Sequence, residues 1–282
     1  LMLIQLITGA ESVKIEQLAD GNSISIGNLK NSGSVHVYRF GKNNQKVGQL
    51  LLTHHRRDVI AEIPEGTHVV APREEQNLFL NTKDYWKTMA SKRFHYYGQQ
   101  STKVLVEPIK VDKWVNEGDV VGSSSIKFQV METPGFTRGA VSYLAVVDGK
   151  RCAFTGDLIY GDGKIFDLYS FQDAVPEAKV GGYHGYGARL ADLINSLEKI
   201  KAWKPDIIYP ARGPVIDNPG KAIDKLVGRV QTLYRNYLST NALHWYFKEE
   251  RMRICGERIL GKGTKIDLMP YCLHLDTPDW II

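Results

Sequence analysis

The stretch that decides the fold is LLTHHRRDVIAEI, from Leu51 to Ile63. An apolar run ends at Leu52, and two histidines, two arginines and an aspartate occupy positions 54–58. Histidines and an aspartate at the end of a buried strand are typical of a metal site. An arginine is not, because its guanidinium stays protonated and offers only N–H donors. The stretch therefore leaves two alternatives, a working metal centre or the remains of one.

Short apolar runs on both sides of this stretch predict β-strands. They are LMLIQLITGA (1–10), SVHVYRF (34–40), GQLLLT (48–53), THVVAP (67–72), VLVEPIKV (104–111), IKFQVMETP (126–134) and PDIIYPARGP (205–214). Two further apolar runs, joined by Asp148 and Gly149, predict a β-hairpin in AVSYLAVVDGKRCAFTGD. The strands are therefore expected to come in two sets, with helices after each.

Two later stretches have the apolar spacing of amphipathic helices. Residues 188–203 (ARLADLINSLEKIKAW) and 219–238 (PGKAIDKLVGRVQTLYRNYL) each place their apolar side chains on one face. The aromatic-rich run over residues 84–94 also predicts a helix, whereas residues 163–187 contain several glycines and predict a loop. Strands followed by helices are compatible with two packed sheets that have helices outside them.

The composition is that of an ordinary soluble globular protein. The chain has 282 residues, of which 43% are hydrophobic and 24% charged, and a net charge of +5. So mild a charge permits contact with an acidic partner but does not by itself indicate nucleic-acid binding. The three cysteines are far apart, which favours neither a disulfide framework nor a cysteine zinc site. No window has the roughly 18 apolar residues of a membrane span.

The ends of the chain also shape the expected organisation. We expect one domain over residues 1–240 and a basic C-terminal appendage over residues 241–282. The opening LMLIQLITGA is short and has no basic segment before it, so it does not predict a signal peptide. It has the pattern of a strand, so we expect part of the N-terminus to be missing.

Four stretches, in order and spacing, resemble the metallo-β-lactamase-fold superfamily. They are LLTHHRRDV (51–59), ETPGFTRGAVSYL (132–144), FTGDLIY (154–160) and IIYPARGPVI (207–216). The resemblance covers roughly residues 1–216 and implies the α/β (α+β) class, with a four-layer αββα sandwich and a site at one edge between the sheets. It also implies that the first strands of the family are lacking here, because LMLIQLITGA resembles an early strand that normally follows them.

The resemblance implies a site with seven ligand positions, at which histidines and aspartates hold two zinc or similar ions. Three positions keep a ligand residue, namely His54, Asp58 and Asp157. Four are substituted, by Arg56, Val59, Phe136 and Arg212. Neither metal would keep the three protein ligands of a normal catalytic zinc site. We therefore expect no cofactor, and zinc or another divalent metal only if the site is altered rather than lost.

The substitutions bring two positive charges to a place where two metal ions would otherwise lie. A buried aspartate without a partner costs several kcal/mol, and an arginine can clamp a carboxylate through two hydrogen bonds. We therefore expect Arg56 and Arg212 to form ion pairs with Asp58 and Asp157. An anionic ligand held by the same arginines is the alternative.

Four other residues are candidates for the implied cleft: His55, Tyr160, Tyr183 and His184. His55 is one position out of register with the metal ligands, and neighbouring side chains at a strand end diverge. His184 lies in the glycine-rich stretch that predicts a loop, where a lone histidine is more often a surface residue than a catalyst. If the chain is catalytic, Asp58 and Asp157 are the candidate bases.

Three functions follow from these patterns. The first is a non-catalytic structural, binding or regulatory module that is part of a larger protein or assembly. The second is a hydrolase of the superfamily with an altered, possibly mononuclear site, in which Asp58 or Asp157 acts beside an arginine. The third is an anion- or nucleic-acid-binding protein that uses the arginines and the basic tail, which the modest charge disfavours. The substituted ligand positions favour the first.

Overall fold

The computed structural model describes residues 3–6, 15–18, 37–40, 48–56, 63, 65–84, 87, 105, 107–124, 126–166 and 182–236. The strands are β1 (Leu3–Leu6), β2 (Ile15–Leu18), β3 (Val37–Phe40), β4 (Gln49–Leu51), β5 (His68–Pro72), β6 (Lys113–Val115), β7 (Val120–Gly122), β8 (Lys127–Glu132), β9 (Val141–Val147), β10 (Lys150–Gly156) and β11 (Ile207–Pro210). The helices are a 3₁₀ turn (Arg73–Glu75), α1 (Gln76–Leu80), α2 (Gly182–Trp203) and α3, which is helical over residues 219–236; residues 82–84 and 87 are also helical.

These strands form two mixed sheets. The first has the order β2-β3-β1-β4-β5-β6 and the second β11-β10-β9-β8-β7. In the second sheet β9 and β10 form the predicted hairpin, and β11 lies parallel to β10. Because β10 and β11 are parallel, the loops that follow them leave the sheet at the same edge.

The main core lies between the two sheets, because side chains alternate across each strand. Leu51 of β4, Val70 of β5 and Tyr143 of β9 point into this layer, where they are fully buried. Aromatic rings fill much of it, and Phe154 stacks on Tyr209 with ring centroids 5.1 Å apart. The two sheets therefore pack face to face as a sandwich.

Helices cover the outer faces. Leu193 and Leu197 of α2, with Ile223 and Leu226 of α3, pack on the outer side of the second sheet. Phe79 of α1 packs on the outer side of the first sheet. The order of layers is thus helix, sheet, sheet, helix, and the predicted four-layer αββα sandwich is confirmed.

The strand predicted over residues 104–111 is wrong where the structure describes it. Residues 107–112 form no strand, and β6 begins at Lys113. Pro108 has no N–H for a ladder, and the Ile109 N–H donates to the Phe79 carbonyl instead. Two other short strands, β2 and β7, carried no clear alternation in the sequence and were not predicted individually.

The boundary predicted for the first long helix is also wrong. The pattern placed the start at Ala188, whereas α2 begins at Gly182. Each glycine disfavours a helix by roughly 1 kcal/mol. The part of α2 that packs on the sheet nucleates the helix, however, and extension of a formed helix is much easier than its nucleation. Tyr183 and His184 therefore lie in a helix, not in a loop.

Several predictions fall outside the described residues. They include most of the helix predicted over residues 84–94 and the whole appendage over residues 241–282, so the domain boundary at residue 240 stays a prediction. Among the helices that the structure describes, none has the length and apolar character required to cross a membrane.

Candidate functional site

The four stretches singled out in the sequence meet at one edge of the sandwich. The chain after β4, the chain after β10, the chain after β11 and the loop over residues 133–140 all reach this edge. The Val141 N–H donates to the Thr53 carbonyl at 2.9 Å and joins the two sheets, while the Ala211 N–H donates to the Gly156 carbonyl at 2.8 Å. The C-terminal ends of β10 and β11 lie together here because the two strands are parallel. The N-terminal end of β9 lies at the same edge because β9 is antiparallel to β10.

A buried ion pair occupies the centre of this edge. Nη1 of Arg212 donates to Oδ2 of Asp157 at 2.8 Å, and both side chains are only 1% exposed. The Arg212 guanidinium also lies over the ring of Phe166, 4.1 Å from its centroid. The structure thus contains one ion pair of the set expected between Arg56, Arg212 and the two aspartates, and a pair with Asp58 stays a prediction because that residue lies outside the described ranges.

The charge of Arg212 keeps Asp157 ionised. Burial by itself raises the pKa of the Asp157 carboxyl, but Arg212 and a hydrogen bond from His54 outweigh it and hold the pKa well below its usual range. An ionised carboxylate next to a guanidinium is the stable form of a buried pair, because either charge left alone would be strongly unfavourable.

His54 joins the same carboxylate. Its Nε2 lies 3.2 Å from Oδ2 of Asp157, and its Nδ1 accepts the Arg56 N–H at 3.3 Å. Since Nδ1 is an acceptor and an ionised carboxylate only accepts, Nε2 must hold the proton. Burial lowers the pKa of His54 against the opposing attraction of Asp157, so the imidazole is neutral.

Arg56 and Phe136 fill the space beside His54. The ring of Phe136 lies 5.0 Å from the His54 ring, and the Arg56 guanidinium lies 5.4 Å from the Phe136 centroid. Phe136 is 3% exposed and Arg56 2% exposed. Apolar volume therefore stands at Phe136, a position where the resemblance places a metal ligand.

Glu75 is a site residue that the sequence did not reveal. Its Oε2 accepts the His55 backbone N–H at 2.6 Å and lies 2.8 Å from His55 Nδ1, while its Oε1 accepts the Gly139 N–H at 3.2 Å. Burial by itself raises the pKa of Glu75, but the attraction of His55 and its hydrogen bond lower that pKa to about 2. An ionised, fully buried glutamate thus ties together two of the converging loops.

Two glycines allow these loops to approach closely. A Cβ at Gly139 would lie 2.5 Å from Cγ of Glu75, so only glycine fits beside that carboxylate. Gly213, with φ +81°, follows Arg212 and would place a Cβ 2.8 Å from the Tyr160 ring. Both glycines are in stretches that carried the resemblance, and their role depends on neighbours distant in the chain.

The remaining predicted site residues have different outcomes. Tyr160 lies beside Gly213, at the same edge. His55 turns to Glu75 and is buried, so it does not take the place of a lost metal ligand. The structure does not describe Asp58 or Val59, and it gives no side-chain placement for Tyr183 or His184, so their parts in the site stay predictions.

The residues that the structure describes do not fit a dinuclear metal centre. A cation bound to Oδ2 of Asp157 would lie against the Arg212 guanidinium. Arg56 and Phe136 provide no atom that binds a metal. Within the described ranges, no group of three or more His, Cys, Asp or Glu side chains could hold a metal ion.

Comparison with known proteins places this geometry in a family. A Beta-lactamase-like protein 2 homolog of Caenorhabditis elegans is 24% identical over 184 residues, which cover 65% of this chain and 48% of that protein. The chain thus spans about half the length of this curated relative.

Solved structures of the same kind are more distant in sequence. A metallo-beta-lactamase family protein of Thermus thermophilus has 15% identity and a TM-score of 0.46, over 66% of this chain and 61% of that one. A subclass B3 metallo-beta-lactamase of Bradyrhizobium japonicum has 18% identity and a TM-score of 0.43, over 72% of this chain and 75% of that one. The family profile described as metallo-beta-lactamase superfamily matches residues 48–212, more than half of the chain. The chain therefore belongs to the metallo-beta-lactamase superfamily.

Proposed function

We propose that this chain is a non-catalytic member of its superfamily, which acts as a structural, binding or regulatory module of a larger protein or assembly. The observation behind the proposal is the buried pair of Arg212 and Asp157. Asp157 is the aspartate that the resemblance assigns to both metals. Here the positive charge beside it belongs to the protein itself, so metal is not needed to neutralise it.

Restricted access to the retained ligands supports the same proposal. The side chains of His54, Asp157 and Arg212 are each 1% exposed. A hydrolase needs an activated water and a substrate carbonyl or phosphoryl group within hydrogen-bond reach of its base. Asp157 Oδ2 already accepts two hydrogen bonds, and its low pKa makes it a weak base.

The decisive experiment is the metal content of protein purified without chelator, measured by plasma mass spectrometry. We expect less than about a tenth of an ion per chain, since structural and catalytic zinc sites need three or four ligands. The variant His54→Ala is compared with His68→Ala, a control at a half-exposed histidine that starts β5 and lies outside the site. We expect the two variants and the parent chain to contain the same trace of metal.

Near-stoichiometric metal that disappears in His54→Ala but persists in His68→Ala would contradict the proposal. It would favour the second candidate, a superfamily hydrolase with an altered site. The specific observation in favour of that candidate is that His54 Nε2 and Asp157 still face each other at 3.2 Å. A broad screen of esters, thioesters, lactams, lactones and phosphodiesters then tests for activity, with Asp157→Asn as the inactive reference.

The arginines of this edge give little support to an anion-binding function. The Arg212 guanidinium is already engaged by Asp157 and by the ring of Phe166. An anion would have to compete with a carboxylate at 2.8 Å. The proposed module therefore has a protein, and not an anion held by Arg212, as its expected partner.

A further inference from the structure

We infer that two buried carboxylates, Glu75 and Asp157, hold the loops of this edge in place of metal ions. Metal ions at the implied ligand positions would connect several loops. A site without these ions therefore lacks the cross-links between the loops as well as the metal-dependent catalysis. A fold that has lost them needs other connections between the same loops. The contacts of Glu75 and Asp157 supply such connections, and Glu75 belongs to none of the stretches that resemble the family.

The first connection is centred on Glu75, in the 3₁₀ turn after β5. Three donors converge on its two oxygens: the His55 N–H, the His55 ring Nδ1 and the Gly139 N–H. His55 belongs to the chain after β4, and Gly139 belongs to the loop that enters β9. Glu75 therefore connects three segments, one of which contains Phe136.

The second connection is centred on Asp157, directly after β10. Its Oδ2 binds Nε2 of His54 and Nη1 of Arg212. His54 belongs to the chain after β4, and Arg212 to the loop after β11. Asp157 therefore joins three segments as well, from both sheets.

The two connections share one residue pair. His54 and His55 are adjacent, and their rings bind different carboxylates. Through this pair the segments after β4, β5, β10 and β11, together with the loop before β9, form one hydrogen-bonded network. Both carboxylates are buried, and each accepts hydrogen bonds from two or more donors on other segments.

The network disfavours metal mainly through charge, because the Arg212 guanidinium repels a cation beside Oδ2 of Asp157, whereas Oδ1 has no hydrogen-bond partner among the described residues. Glu75 has no equivalent among the implied ligand positions, so it acts as a positioning residue and not as a retained ligand. The inference concerns what holds the loops, and it stands whether or not the edge has a catalytic activity.

The test measures amide hydrogen exchange by NMR in the full chain and in two matched variants. In Glu75→Gln, which keeps the shape and removes the charge, we expect the His55 and Gly139 amides to exchange about tenfold faster or more, since each loses a charge-assisted hydrogen bond. The Val141 amide, bonded to the Thr53 carbonyl, should change less. The control is Glu74→Gln, at an exposed neighbouring glutamate, which should leave all three amides unchanged.

The parent chain provides a second measurement that needs no variant. With EDTA or with added Zn²⁺, we expect the same melting temperature and the same exchange at His55 and Gly139. If Glu75→Gln does not fold, His55→Ala replaces it; this variant removes one of the three donors and should still accelerate exchange at Gly139.

Two results would overturn the inference. One is equal exchange in the Glu75 and Glu74 variants. The other is a loop network that zinc stabilises or EDTA loosens. Hydrolytic activity found in metal-free protein would end the proposed non-catalytic function and leave this inference intact, so the two failures are distinguishable.

Discussion

At the scale of single residues, the site is governed by the cost of buried charge. Arg212 is among the largest fully buried side chains of the described chain, and its guanidinium faces one carboxylate oxygen of Asp157. Desolvation of such a pair offsets much of its attraction, so the pair itself adds little stability. Removal of one partner lowers the free energy of unfolding strongly, because the other charge then stays buried without compensation.

The variant Arg212→Met should therefore lose about 3–5 kcal/mol of unfolding free energy. Methionine keeps most of the volume but leaves Asp157 unpaired except for His54. The double variant Arg212→Met with Asp157→Asn should recover at least half of that loss, since no buried charge remains. Urea denaturation followed by tryptophan fluorescence measures both. If the double variant is as unstable as the single one, packing against Phe166, and not charge, explains the effect.

The lowered pKa of the Glu75 carboxyl leads to a specific dependence of stability on pH. Its pKa is about 2 in the folded chain, against 4.5 for an ordinary glutamate. Its contribution is therefore complete above pH 4.5 and is lost as the pH falls towards 2. A shift of this size corresponds to a contribution on the order of 3 kcal/mol.

Urea midpoints measured from about pH 7 to about pH 2.5 test this dependence. The parent chain should lose stability steeply below pH 4.5, and Glu75→Gln should show a shallower fall over the same interval. Asp157 adds a loss of the same sign, since its folded-state pKa is also depressed. The control Glu74→Gln should follow the parent curve; a parallel curve for Glu75→Gln would contradict the assigned role.

At the scale of elements, the site depends on how closely the loop over residues 133–140 approaches its neighbours. The Pro134 carbonyl accepts a hydrogen bond from Ser196 of α2 at 2.6 Å. A Cβ at Gly135, where φ is +154°, would lie 3.1 Å from Cα of Leu193. The loop is thus fixed against α2 on one side and against Glu75 on the other.

The substitution Gly139→Ala should separate this loop from Glu75. The added Cβ would lie 2.5 Å from Cγ of Glu75, so the glutamate or the loop must move, at a cost of about 1–3 kcal/mol. Gly228→Ala is the matched control: it lies in α3 with open space around it, and alanine should stabilise that helix by up to about 1 kcal/mol. Thermal unfolding measures the melting temperatures of both variants and the parent chain. Equal stability of Gly139→Ala and the parent chain would count against the close contact.

At the scale of the whole molecule, the four-layer sandwich is held by packed layers that lie apart from the edge where the site residues meet. The inter-sheet core and the helix-covered outer faces do not involve the site residues. The packed layers are therefore distinct from the edge, whose ion pair and hydrogen bonds add their own contribution to stability. This separation is compatible with the four substituted ligand positions that the resemblance implies.

The same separation predicts that metal binding can be restored. The combined variant Arg56→His, Val59→His, Phe136→His and Arg212→His returns histidine to the four substituted positions, beside His54 and Asp157. We expect it to bind about one zinc ion or more per chain, because four or more ligands then surround the site. Isothermal titration calorimetry measures the stoichiometry, with the parent chain as reference; no binding would show that the loops no longer have the ligand geometry.

The sequence by itself determined the fold class, through the resemblance of four stretches to a known superfamily, and the strand-end location of the site. It also predicted ion pairs of Arg56 and Arg212 with Asp58 and Asp157, and the structure shows one of them, Arg212 with Asp157. The apolar runs of β9 and β10 and the turn at Asp148 and Gly149 are local signals, and local signals are readable without a structure. The pairing followed from the need to neutralise a buried carboxylate once metal ligands are absent.

Only the tertiary structure decided the partner of His55, the start of α2 and the place of β6. Glu75 and Gly139 are 64 residues apart, and nothing in either local sequence marks them as neighbours. The glycines before Ala188 favoured a loop, but packing of α2 on the second sheet outweighed their propensity. Hydrogen bonds and burial that join distant segments depend on how the layers stack, and that information is spread over the whole chain instead of being held in any one stretch.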